Sequence, residues 1–174
     1  MALTSGDLPS KLSRAIRAYL ISQGVAQPTQ CFAQPNSSDH TLPATEIESG
    51  EGGEQHYEGG NYEFNVEVRL FDDAVDDPAA PRATENAAIK RFTDTWNALN
   101  LSNDGVTLDL TAQNITAAAQ AAAVAAPVND GDLSDFTLIK MWADGIGDRF
   151  KDAAGTFWVQ SGRFRCVCCN SYIP

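Results

Sequence analysis

The chain of 174 residues is 43% hydrophobic and 20% charged. That is too apolar for a disordered polypeptide, and the length fits one domain able to bury roughly 70% of its unfolded surface. Twelve Lys and Arg against 23 Asp and Glu leave a formal charge of −11, which argues against wrapping nucleic acid by phosphate neutralisation, though not against a pore through which it slides.

No window offers the roughly 18 consecutive apolar residues of a membrane helix, and residues 1–8 lack the basic start and apolar run of a signal peptide. No membrane partner is expected. Cys31, Cys166, Cys168 and Cys169 form no framework for a small secreted domain, so a reduced, cytosolic chain is the simpler expectation.

Taken in chain order, a helix is predicted over residues 9–23, with Asp7 as its cap and Gly24 as its stop. Leu8, Leu12, Ala15, Ile16, Tyr19 and Leu20 form its apolar stripe, and Lys11, Arg14 and Arg17 are placed on the other face. Residues 27–43 read as loop, and residues 44–48 as a short strand. Five glycines fall between Gly50 and Gly60, a composition that fits an exposed hairpin tip. The clearest strand is 61–71, where Tyr62, Phe64, Val66, Val68 and Leu70 alternate with Glu63, Asn65, Glu67 and Arg69.

An acidic turn, Asp72-Asp73-Ala74-Val75-Asp76-Asp77, leads to a second helix over 81–100. Its predicted buried stripe is Ile89, Phe92, Trp96 and Leu99, with Lys90, Arg91 and Asp94 exposed. Asn103-Asp104-Gly105 signals a turn. An alanine-rich helix over 115–126, capped by Thr111 or Asn114, is expected to contribute little burial. Strands are predicted over 136–143 and 156–169, separated by turn clusters at 144–148 and 152–155. A bulge at Ser161-Gly162 would bring Phe157 and Val159 to the face of Phe164, Cys166 and Cys168. The expected fold class is α+β: a mainly antiparallel four-stranded sheet with helices packed on one face, in a single domain spanning residues 1–174.

Chemistry-bearing residues are few. His40 and His56 sit in polar loop sequence with no second ligand at helical spacing. Cys166 and Cys168 share a strand face about 7 Å apart, unlike the converging pair of a zinc turn, so buried thiols are the simpler reading. The run from Asp72 to Asp77 lacks the central glycine and terminal Glu of a calcium loop, and carboxylates there suit a helix start. No phosphate-cradling glycine motif occurs. No catalytic, cofactor-binding or metal-ligating residue is therefore assigned, and no cofactor is expected.

The linear plan itself is informative. The N-terminal helix is followed by a proline-containing loop, a strand at Thr45-Glu46-Ile47-Glu48, and Gly-Gly before the strand from Tyr62 to Leu70. A helix ending Trp96-Asn97-Ala98-Leu99 comes next, and the last strands contain Phe136-Thr137-Leu138-Ile139 and Trp158 to Cys166. This order resembles the tail terminator proteins of long-tailed bacteriophages over most of the chain. The alanine-rich segment at 105–135 and the glycine-rich loop at 50–60 are set apart, the former as a departure from the family plan.

The resemblance implies a non-enzymatic virion protein, assembled in the host cytoplasm into a homo-hexameric ring. Such a ring would cap the head-proximal end of the tail tube, end its growth, and meet a neck or head-connector protein while DNA passes through the lumen. A head–tail adaptor or stopper is the nearby alternative, and a small metal-binding protein or enzyme using Cys166, Cys168 and the acidic loop is a more distant one.

Overall fold

The computed structural model describes residues 8–34, 41–50, 56–57, 61–101 and 109–169. Asp7, His40, most of the glycine-rich run and the turn at 103–105 lie outside the described residues.

Helix α1 (Leu8–Ser22) buries Leu8, Leu12, Ala15, Ile16, Tyr19 and Leu20 along the predicted stripe. Gly24 takes φ +70°, a left-handed turn that costs glycine little, and Val25 N–H then bonds back to the Leu20 carbonyl at 3.2 Å. Lys11 departs from the expectation. It stands one turn after Leu8 on the buried face, is 2% exposed, and its ammonium meets Asp135 at 3.1 Å. A cation can occupy that stripe only because a carboxylate 124 residues away reaches it.

The sheet is built from β1 (Cys31–Phe32), β2 (Ala44–Gly50), β3 (His56–Tyr57), β4 (Asn61–Asp73), β5 (Thr137–Ile146), β6 (Phe150–Lys151) and β7 (Phe157–Cys169). Its main order is β1-β2-β4-β7-β5, with β3 beside β4 and β6 beside β7. The α+β class stands, but the expected four-stranded, mainly antiparallel sheet is corrected to a mixed one of seven strands among the described residues. The four long strands β2, β4, β7 and β5 are antiparallel, whereas β1 runs parallel to β2. The added strands are two residues each, too short for alternation to reveal.

Pairing of β4 with β7 is continuous from Asn61↔Cys169 to Asp73↔Phe157. The expected bulge at Ser161-Gly162 is therefore absent, and Phe157 and Val159 point away from Phe164 and Cys166. The register shifts lie in β5, between Leu138 and Lys140 and between Ala143 and Gly145. A Cβ at Gly162 would come within 3.0 Å of the Trp96 ring, so glycine stands there to let helix α2 lie on the strand.

Helix α2 (Ala83–Leu99) buries Ala88, Phe92, Thr95 and Leu99. The stripe is rotated from the predicted one: Ile89 is 39% exposed and Trp96 lies at the flank, stacked on Phe92 and tilted against Phe164. Arg91, expected outside, turns inward to Asp72, as described below.

Helix α3 (Leu110–Ala125) starts earlier than predicted, and its cap is Asp109 rather than Thr111 or Asn114. One Asp109 oxygen accepts from Ala112 N–H at 3.0 Å, and the other from Met141 N–H of β5 at 2.9 Å. Thr116 Oγ1 accepts from Leu138 N–H at 3.0 Å. Helix α3 thus blunts the β5 edge that would otherwise offer unpaired backbone groups. Its small side chains let it pack against α1 and β5, with Ile115 and Ala119 fully buried. This segment is a layer of the core, contrary to the expectation of little burial. The short helix α4 (Pro127–Asp130) and a 3₁₀ turn at Gly131–Leu133 return the chain to β5.

Arg14 clasps that return with two bonds to Asp132, at 2.7 and 2.6 Å. The hydrogen bond and charge of Arg14 hold the Asp132 carboxyl below its ordinary range. Glu67 is also held low: burial opposes its charge, but hydrogen bonds from Arg69 and Ser161 outweigh it. Carboxyls depressed in the folded state stabilise it fully above their unfolded pKa, near 4, and lose that contribution as pH falls through the lower folded values. The contribution of these two carboxyls is therefore expected to hold steady from pH 7 to about 5, and thermal melts to drop below about 4. In Asp132→Asn the pH 7 loss should stay within about 1 kcal/mol, as for a surface pair, and the acid limb should be shallower. An unchanged acid limb in that variant would contradict the assignment.

Candidate functional site

The residues weighed for chemistry do not converge. Cys31, Cys166 and Cys168 are buried and Cys169 is half-buried. Burial pushes the Cys168 thiol up to about 12 and Cys31 up to about 11, and raises Cys166 well above its ordinary value. Protonated thiols inside a core are poor nucleophiles and poor metal ligands. His56 belongs to β3.

The acidic run is used by its own backbone. Asp73 accepts from Val75 N–H at 2.9 Å and Asp77 from Ala79 N–H at 2.8 Å. Asp76 accepts from Thr84 Oγ1 at 2.7 Å and from Thr84 N–H in the first turn of α2. Asp72 is tied to Arg91. Among the described residues no group of three or more His, Cys, Asp or Glu is placed to hold a metal ion, and no helix is long and apolar enough to cross a membrane.

The most distinctive surface is the sheet face turned away from the helices. All three long helices pack on the side of Phe64, Val66, Val68, Phe164 and Cys166, and period-two alternation sends the intervening residues to the other side. Across strands β2, β4 and β7 this second face carries Glu48, Glu67 and Arg163 in one row, and Glu46, Arg69 and Ser161 in another. Arg69 Nη2 donates to Glu67 at 2.9 Å and to Glu48 at 2.5 Å, and its Nη1 lies 3.7 Å from Glu46. On β7 and β5, Arg165 stands opposite Trp142 and Lys140 opposite Val167. Both cations approach the Trp142 ring, at 5.5 and 5.4 Å. Arg165 also bonds to the buried Glu63 of β4.

At one end of this face Phe71 and Phe157 meet edge-on at 5.9 Å, and Phe150, 55% exposed, stands opposite Val159. A hollow of about 390 Å³ opens among Glu48, Asn65, Glu67, Asp144 and Arg163. A larger groove, about 630 Å³, lies beside α1 and β1 and includes Arg14, Arg17 and Phe32. There Arg17 is occupied in fixing the loop into β1, donating to the Cys31 and Pro28 carbonyls at 2.7 and 2.8 Å.

The acidic strand residues of this face, Glu63 and Glu67 with Arg69, were legible from alternation. The basic half was not assembled from sequence, although Arg163-Phe164-Arg165-Cys166 carries the same period-two signal. What sequence could not supply is the pairing that sets Lys140 and Trp142 beside Arg165. Compared with known proteins, the chain matches no family model and no curated sequence.

Proposed function

We propose that this chain is a structural, ring-forming component of a bacteriophage tail. In this reading it caps the head-proximal end of the tail tube, ends tube polymerisation and joins the tail to the neck, while DNA passes through the ring. The observation that carries the proposal is the one-sided layering: long helices cover one face of the sheet, and the other face is left to charged and aromatic side chains. A chain that works by contact with its own copies and with neighbouring rings needs such a surface, and needs no reactive centre. The long elements α1, β2, β4, α2, β5 and β7 follow one another in the order of the linear plan, with the short strands β1, β3 and β6 and the helices α3 and α4 added to it. The −11 charge of each copy gives DNA little to adhere to.

The test joins mass measurement with electron imaging of the purified protein alone and with tail tubes. A particle of about six chains that binds tube ends and halts their growth is the expected result. Rings that bind portal assemblies and ignore tube ends would replace termination by an adaptor or stopper role. A chain that stays monomeric with and without tubes, or that turns over a substrate, would overturn the proposal.

A further inference from the structure

The charges on the open sheet face are sorted from one side of the sheet to the other. Among the described residues, the β2–β4 half carries Glu48 and Glu67 at its surface and Glu46 and Glu63 buried beside them, with Arg69 as the single cation. Among the described residues, the β7–β5 half carries Arg163, Arg165 and Lys140, and its one carboxylate is Asp144, which sits at a register shift of β5 and lines the hollow with Arg163. Neighbouring strands lie about 4.8 Å apart, so an acidic strip and a basic strip run side by side along the strands, each about two strands wide. Their outer members reach water: Lys140 and Arg163 are exposed, and the Glu48 and Glu67 side chains are 45% and 34% exposed.

A chain at −11 repels its own copies at long range. Copies can approach closely only where the local charges are opposed, and this face supplies both signs within one surface. The apolar end formed by Phe71, Phe150, Phe157 and Val159 lies on the same face and offers burial that charge alone would not provide.

We propose that the open sheet face is the surface through which copies of this chain associate, the basic β7–β5 half of one against the acidic β2–β4 half of the next. This deepens the ring proposal and rests on it for the number of copies, because the same pairing closes either as a ring or as a two-fold dimer. Opposed strips set the register of the contact, since a copy shifted by two strands would bring like charges together.

The experiment is a charge exchange read by light scattering and native mass spectrometry on the full chain. One variant reverses the acidic strip (Glu48→Lys with Glu67→Lys), and the other reverses the basic strip (Lys140→Glu with Arg163→Glu). Circular dichroism checks that each is folded. Each variant alone is expected to lose association at least about tenfold, and an equimolar mixture to regain it, because each reversed strip then meets its opposite. Recovery on mixing is a result that misfolded variants cannot give. If the wild type assembles and both variants assemble equally well, the surface is wrong and the ring proposal survives. If the wild type stops at two copies and the exchange pattern holds, the surface stands and the ring falls. A wild type that never associates, or variants that stay apart on mixing, overturns the inference.

Discussion

Replacing Arg91 by methionine is expected to lower stability by about 3–5 kcal/mol, the range for stranding a buried charge. The guanidinium lies between α2 and the sheet, with its side chain 18% exposed. It donates to Asp72 at 3.0 Å, to Thr45 Oγ1 at 2.6 Å, and to the carbonyls of Ala44 and Phe71 at 2.9 and 3.3 Å. Methionine fills much of the stem volume but donates nothing, so the buried Thr45 and Asp72 lose their partner together.

The pH dependence identifies the cause. Burial already raises the Asp72 pKa against the pull of Arg91, and removing Arg91 raises it further. A raised carboxyl pKa costs nothing below the unfolded value near 4, and its cost grows as pH rises through the folded value. The deficit of Arg91→Met relative to wild type should therefore be largest at pH 7 and shrink towards pH 4. Urea unfolding at several pH values measures both. Adding Asp72→Asn should recover part of the pH 7 loss, and a deficit independent of pH would rule out the charge account.

How much of this was legible in the sequence depends on the range of the interaction that fixed each feature. The β4 alternation and the α1 stripe are local patterns with no competing signal, and the structure keeps both. Sequence alone puts Lys11 and Arg91 outside, because a charge without a visible partner belongs in water. Their partners, Asp135 and Asp72, stand 124 and 19 residues away, and only the packed fold brings them close. The small side chains of the alanine-rich helix bury little area each, which is all that sequence shows, whereas its contribution comes from how closely its backbone approaches α1 and β5. Strand β1 was beyond reach for a different reason. Its two residues pair in parallel with β2 because Arg17 holds the incoming loop by its carbonyls, a cause that leaves no periodicity. The open face followed the same rule: each strand's charges were readable, but the sorting into acidic and basic halves required the strand order.

Substituting Gly162 by leucine is expected to cost about 3 kcal/mol, although leucine suits a strand better than glycine by propensity alone. The position lies on the helix-facing side of β7, opposite Val68 on β4 and Ile146 on β5. Even a Cβ there would meet two carbons of the Trp96 ring at 3.0 Å and the Phe164 ring at 3.2 Å. Trp96 is already fixed by stacking on Phe92 at 6.0 Å and by its tilted contact with Phe164 at 5.0 Å, so it cannot give way without lifting α2 from the sheet. The loss arises from overpacking, and it must shrink when the obstructing ring is removed. Trp96→Leu alone should destabilise by losing ring contacts, yet Gly162→Leu with Trp96→Leu should cost less than the two single changes added together, because the new side chain occupies space the indole vacates. Chemical denaturation of the three variants closes the cycle. Strict additivity would mean that the indole and the glycine do not share a contact, and the packing of α2 on β7 described above would have to be redrawn.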